Sequence, residues 1–396
     1  MVSERIKKMK PSATLAQSSK IAELREQGIH IIGFNVGEPD FDTPVAIVEK
    51  GKEALQKGLT RYTPGPGMIA LRQEICRKFK REYQLEYDYQ DVVVSSGAKQ
   101  ALTNALMALV NPGDEVIIPT PCWVSYIEMV KLADGVPILV KTKEENGFAL
   151  DMEAIKKAVT HKTKAIMINS PNNPTGAVYT EEHLKQLGEL AVKEDFYIIS
   201  DEVYERLVYD RVKNCCVGAL SPAIREKTIT INGVSKAYAM TGWRIGYAVG
   251  PRAIIKAMGD YQGHTTTSPN TPAQYAAIEA IANGDQKAEM MRQAFDERRV
   301  YLVNRLKQMA GIQCNMPKGA FYVMPNITAY FGKSTNKRMI QTTTDLADYL
   351  LEEAHIAVVA GEAFEAPSHL RISYSNSMEN IQEGMDRMEQ ALRRLK

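Results

Sequence analysis

Seven short runs punctuate the middle of the chain, at 91–96, 115–119, 136–140, 164–169, 196–201, 228–232 and 244–249. Each is β-branched and apolar almost without interruption. A strand with one face in water alternates apolar and polar residues, whereas a strand covered on both faces does not. The pattern therefore predicts a mainly parallel sheet buried between helices. Helix-like stretches join several of the runs. The one at 180–194 opens with Thr180 as an N-cap and Glu181-Glu182 in its first turn, where acidic side chains favour the helix dipole. This βα alternation predicts an α/β domain.

The pattern then changes. A long charged helix is expected at 287–309, a strand at 319–324, a helix at 344–354 and short strands at 356–359 and 370–374. A closing amphipathic helix at 377–395 places Ile381, Met385, Met388 and Leu392 on one side. At 396 residues the chain exceeds what one core usually supports. Three parts are expected: an N-terminal arm, 1–44, packing with the smaller part; a large α/β domain, 45–285; and a small C-terminal α+β domain, 286–396.

A net charge of +2 gives no electrostatic reason to expect nucleic acid or an acidic membrane as partner. No apolar run reaches the 18 residues of a membrane span, and no apolar stretch follows the basic first ten residues. A cytoplasmic location is expected. The five cysteines show no Cys-x-x-Cys spacing, so reduced thiols and no metal site are expected.

In open α/β sheets, ligands bind beyond the carboxyl ends of the parallel strands. Chemically loaded residues collect there. Ser95-Ser96-Gly97-Ala98-Lys99-Gln100 leads into a helix expected at 101–110, whose start would suit an anion. Asn169-Ser170-Pro171-Asn172-Asn173-Pro174-Thr175-Gly176 is richer in Asn and Pro than a turn requires. Asp201-Glu202-Val203-Tyr204 could supply a base, a metal ligand or a helix cap. Ser235-Lys236 follows an apolar strand among small and aromatic residues. A lysine held there would lose charge by desolvation and become nucleophilic.

These four constellations, in this order, resemble the fold-type I pyridoxal-phosphate aminotransferases of class I/II, and most of all their prokaryotic aspartate branch. The resemblance begins at Lys10-Pro11-Ser12-Ala13-Thr14 and Gly37-Glu38-Pro39-Asp40-Phe41-Asp42-Thr43-Pro44. It runs through Gly242-Trp243-Arg244-Ile245-Gly246-Tyr247 and ends at Leu370-Arg371-Ile372-Ser373-Tyr374. It implies a seven-stranded sheet flanked by helices, with pyridoxal 5′-phosphate as cofactor.

The resemblance also implies roles. Lys236 would carry the cofactor covalently and move the substrate's α-proton. Asp201 would pair with the pyridine nitrogen and keep the ring an electron sink. Asn173 and Tyr204 would bond the phenolic oxygen, and Trp123 would stack on the ring. Gly97, Ala98, Lys99 and Arg244 would bind the phosphate. Tyr62 would reach the phosphate of a neighbouring subunit, which makes the expected active unit a homodimer with shared sites. Arg371 would grip the substrate α-carboxylate, and Gly37 would let the backbone approach it. Asn173 and Trp123 would also touch the substrate.

The implied reaction is a ping-pong transfer between an L-amino acid and a 2-oxo acid through the pyridoxal and pyridoxamine phosphate forms. Aspartate with 2-oxoglutarate is expected, because Ser12-Ala13-Thr14 resembles a segment that closes over the pocket in the aspartate branch. No second arginine for a distal carboxylate is identifiable. Aromatic amino acids or prephenate are the alternative substrates, and a β-lyase is the alternative reaction. A DNA-binding regulator would need an added domain, for which the roughly 40 residues before the sheet leave little room. A nicotinamide dehydrogenase lacks its Gly-x-Gly-x-x-Gly after the first strand. Two positions depart from the animal and enteric aspartate enzymes. Gly233 stands where they have a serine three residues before the lysine, and Tyr126 where they have a histidine three residues after the stacking tryptophan.

Overall fold

The computed structural model describes residues 2–7, 9, 13–335 and 338–396. Twelve strands occur among them: β1 Ile32–Gly33, β2 Val92–Ser95, β3 Glu115–Thr120, β4 Val136–Lys141, β5 Thr163–Asn169, β6 Tyr197–Asp201, β7 Thr228–Gly233, β8 Gly246–Val249, β9 Tyr322–Val323, β10 Ile356–Ala357, β11 Val359–Ala360 and β12 Leu370–Ser373.

The seven central runs form one sheet in the order β2-β8-β7-β6-β5-β3-β4. Every pairing from β7 to β4 is parallel, and β8 runs against both its neighbours. Strands β2, β6, β7 and β8 are buried nearly throughout, as continuous apolar runs between helical layers should be. Strand β4 departs from the expectation. It is the edge strand, and Val136 and Leu139 are exposed. A continuous apolar run shows that a segment is β-prone, but not whether a second layer covers it.

Caps fix the helix starts. The Thr180 hydroxyl accepts from the His183 N–H at the head of Glu181–Lys193. The helix expected at 101–110 begins earlier, at Ala98, and runs to Leu109. Gly97 makes this possible: at φ 87 and ψ 158 it adopts an extended, positive-φ conformation that side chains disfavour, and so turns the chain at once from β2 into the helix.

The C-terminal part is built on a second sheet, β11-β12-β9, with β12 in the middle. The expected strand at 319–324 contracts to β9. The expected strand at 356–359 divides between two sheets: β10 pairs with β1, and β11 turns to pair with β12. Helix Met378–Arg393, capped by Ser377, packs against Asp285–Gln308 and Thr343–Ala354. Its Ile381, Met385, Met388 and Leu392 are all buried in a core shared with β9, β10 and β12. The β1–β10 pairing joins the N-terminal segment to this part of the molecule.

Among the described residues, no helix is long and apolar enough to cross a membrane. Nor does any group of three His, Cys, Asp or Glu side chains among them converge as metal ligands would.

Candidate active site

Strands β5, β6 and β7 are neighbours and parallel, so their carboxyl ends lie side by side. Asn169 pairs in register with Asp201, and Asp201 with Ile231. The Asn173 loop, Asp201-Tyr204 and Ser235-Lys236 therefore converge, although 63 residues separate Asn173 from Lys236. Because β8 is antiparallel, it enters at the end where its neighbours leave, and this brings Arg244 to the same place. A cavity of about 480 Å³ opens there. Lys236, Asp201, Tyr204, Asn173, Ala98, Lys99, Trp123, Arg244, Arg371 and Gly37 all line it. Gly97 lies beside it, against Arg244. Tyr62 does not line it: its side chain projects from the surface, 87% exposed. Lys10, Pro11 and Ser12 lie outside the described residues.

One end of the cavity is cationic. A Cβ on Gly97 would come within 2.2 Å of Arg244 Nη2, so only glycine lets the guanidinium sit over this turn. Arg244 donates to the carbonyls of Thr241, at 2.9 Å, and Ser96, at 3.4 Å. Among the described residues it has no carboxylate partner. Lys99 Nζ stands 4.7 Å over the Trp123 ring, and burial and the neighbouring Arg244 lower its pKa. The N–H groups of Ala98 and Lys99 open a helix and have no acceptor within it. The Arg244 guanidinium, two helix-opening N–H groups without acceptors among the described residues and a glycine cradle fit a phosphate ester, and the Lys99 ammonium stands beside them as a further cation. Gly233, also on the cavity wall, offers no hydroxyl there.

The floor is a buried carboxylate. Burial pushes Asp201 up to about 6, against the pull of donors from Tyr126 and the Val203 N–H. The Tyr126 hydroxyl donates to Asp201 Oδ2 at 2.6 Å. The departure at Tyr126 thus leaves Asp201 supported, by a phenol in place of an imidazole. The Asn169 side chain ties this floor to the next loop. Its amide donates to the Asp201 carbonyl at 2.9 Å, and its oxygen accepts from the Asn173 N–H at 2.7 Å. Trp123 meets Tyr126 edge-on at 5.4 Å.

Lys236 Nζ donates to the Gly37 carbonyl at 2.5 Å. Burial, with Arg244 and Arg371 nearby, pushes its pKa down to about 8, although Glu38 pulls the other way. Arg371, on the middle strand β12, is 2% exposed. It donates to the Asn35 carbonyl at 2.6 Å and to Asn173 Oδ1 at 3.2 Å. Its Nε is buried without a partner, and among the described residues no carboxylate neutralises it. The guanidinium lies over the Tyr322 and Phe364 rings, at 4.6 and 4.9 Å. The sequence reading missed Asn35 and Tyr322, and it placed Asn169 in a chemically loaded loop without giving it a role. Asn169 was within reach, at the last position of an identified strand. Asn35 and Tyr322 meet Arg371 only through tertiary pairing.

The profile of the family described as "Aminotransferase class I and II" matches residues 29–388. The chain is 45% identical to an aspartate aminotransferase of Geobacillus stearothermophilus, over 98% of each chain. It is 44% identical to an aspartate/prephenate aminotransferase of Thermus thermophilus, over 99% of each. Among solved structures it is similar to the Thermus thermophilus aspartate aminotransferase with maleate, at a TM-score of 0.93 and 43% identity over 99% of each chain. It is also similar to the aspartate aminotransferase of Rhizobium meliloti, at a TM-score of 0.96 and 39% identity over the full length of both.

Proposed function

The chain belongs to the class I and II aminotransferases, and from that premise we propose that it moves the amino group of L-aspartate to 2-oxoglutarate with pyridoxal 5′-phosphate held on Lys236. The observation that carries this reading is a lysine brought towards neutrality in one cavity with an anion cradle, a buried carboxylate and an unneutralised arginine. When bound, the cofactor supplies a carbonyl that exchanges for the amino group and a ring that takes up electrons as the α-proton leaves.

The chain's own groups do the rest. With its pKa pushed to about 8, Lys236 can both accept and return a proton at Nζ near neutral pH. Gly97, Ala98, Lys99 and Arg244 hold the phosphate. Asp201 holds the ring nitrogen, Asn173 and Tyr204 the phenolic oxygen, and Trp123 the ring face. Arg371 takes the α-carboxylate as its missing anion, with the Gly37 backbone alongside. Lys99 Nζ has no acidic partner among the described residues and supplies the second cation that an aspartate side chain needs. Tyr62, exposed on a loop whose Arg61 carbonyl accepts from the Thr271 hydroxyl at the start of helix Thr271–Asn283, reaches the site of a second copy in a homodimer. A core drawn mainly from 291–395, which Ile32 and Phe34 join along with Tyr204, Leu207, Tyr209 and Ala239, stands apart from the core within 93–258, and this, with β1 joined to β10, favours division into 1–44, 45–285 and 286–396.

Two variants test parts of this reading. Tyr126→Phe removes a donor that stabilises ionised Asp201, so the carboxyl's pKa rises further above about 6. The acid limb of the kcat/KM profile is then expected to move to higher pH by roughly one unit; an unmoved limb would count against the role given to Asp201. Lys99→Met leaves the backbone N–H groups in place. It is expected to lower kcat/KM for aspartate roughly tenfold or more, with much less effect on phenylalanine, measured side by side.

A panel of half-reactions ranked by kcat/KM tests the substrate. Aspartate and glutamate should convert the cofactor to its amine form, and a 2-oxo acid should restore it. If both rank low and aromatic amino acids or prephenate rank high, the aspartate reading is wrong. Release of ammonia and pyruvate would point to a β-lyase.

A further inference from the structure

Tyr322 opens β9 and belongs to none of the four constellations described above, yet it touches three parts of the site: Tyr204, Arg371 and the Gly37 backbone. Its hydroxyl lies 2.9 Å from that of Tyr204, and the two rings meet edge-on at 5.8 Å. Its ring face carries the Arg371 guanidinium at 4.6 Å. A Cβ on Gly37 would fall 2.7 Å from its hydroxyl, so the backbone whose carbonyl accepts from Lys236 is seated against it. Tyr322 is 1% exposed. Among the described residues its hydroxyl has no hydrogen-bond partner other than Tyr204. Packing alone would be served equally well by phenylalanine, so the hydroxyl needs its own explanation.

A phenol has one proton and can accept in return. When Tyr204 turns its proton towards a ligand oxygen in the cavity, its own oxygen is left to accept, and Tyr322 is the group placed to donate. Hydrogen bonds in such a chain polarise one another. We propose that Tyr322 is a positioning residue that couples the two halves of the site: its hydroxyl strengthens the bond from Tyr204 to the cofactor's phenolic oxygen, and its ring face holds Arg371 ready for the substrate carboxylate. The inference rests on the reading that pyridoxal phosphate binds at Lys236.

The two functions separate by substitution. Tyr322→Phe keeps the ring and loses the hydroxyl. With a weaker donor at Tyr204, the phenolic oxygen keeps more negative charge and holds the neighbouring proton on the lysine-bound cofactor more tightly. The pH midpoint of the visible absorbance of the loaded protein is expected to rise by roughly half a unit, the effect of an ordinary hydrogen bond acting through one group. The Kd for maleate, a dicarboxylate without an amino group, should stay within about twofold, since the cation–π face is retained. Tyr322→Leu removes both parts. It should raise the midpoint similarly and weaken maleate roughly tenfold, as loss of a desolvated cation–π contact implies.

A Phe variant that titrates like the wild type overturns the role of the hydroxyl. A Leu variant that binds maleate as tightly as the Phe variant overturns the role of the ring. Either outcome leaves the cofactor assignment standing. A wild-type protein that shows no titrating band after loading overturns that assignment, and this inference with it.

Discussion

Lys236→Ala is expected to reduce transamination by on the order of 10⁴-fold or more, the upper range of general acid–base effects, with loss of covalent attachment added. Thermal stability should change little. The lysine's recorded hydrogen bond is to the Gly37 carbonyl, and removing a charge that burial disfavours relieves a cost while it empties space. The variant should therefore fold, and it should still bind the cofactor through Asp201, Arg244 and the start of helix Ala98–Leu109. A small primary amine entering the vacated space should restore part of the turnover, because it returns a proton acceptor near the missing Nζ. Steady-state rates of the purified, cofactor-loaded variant with and without added amine provide the check. Substantial transamination without amine would mean that another group moves the proton.

Arg371→Leu should lower kcat/KM about a hundredfold or more, and for every amino acid alike. The guanidinium is desolvated, set over the Tyr322 and Phe364 rings, and bonded to a carbonyl and an amide oxygen but, among the described residues, to no anion. Its α-carboxylate partner would complete a charge-assisted pair whose loss costs several kcal/mol. All amino acids share that carboxylate, so the ranking of substrates should survive while the values fall. This separates Arg371 from Lys99, where the loss should be selective for acidic side chains. Arg371→Lys should not rescue fully, since an ammonium lacks the planar fork. A loss confined to aspartate and glutamate would move the role of Arg371 from the α-carboxylate to the side chain.

How much of this was legible depends on the range of the physics involved. The strands β5, β6 and β7 announced themselves through local apolar runs, and the rule that ligands gather at strand ends located Asn173, Asp201 and Lys236 by position. Strand order was not local information. Nothing near Arg244 says that β8 runs backwards and delivers it to the same cavity. The split of the 356–359 run between β10 and β11 is likewise decided by partners, β1 and β12, far off in the chain. Contacts made by phenols were the least legible. The bond from Tyr126 to Asp201 spans 75 residues and that from Tyr204 to Tyr322 spans 118. A buried tyrosine reads in sequence as packing until its oxygen has a neighbour. Lys99 was assigned to the phosphate from its place at a helix start, and only its long side chain, lying over Trp123, revealed a second use.

Borohydride reduction of the loaded protein, followed by peptide mapping, tests the central claim most directly. Reduction should fix the cofactor on the peptide containing Lys236 and on no other, and prior incubation with aspartate, which converts the cofactor to its amine form, should prevent the labelling. Cofactor fixed on a different lysine, or no fixed cofactor at all, would contradict the account.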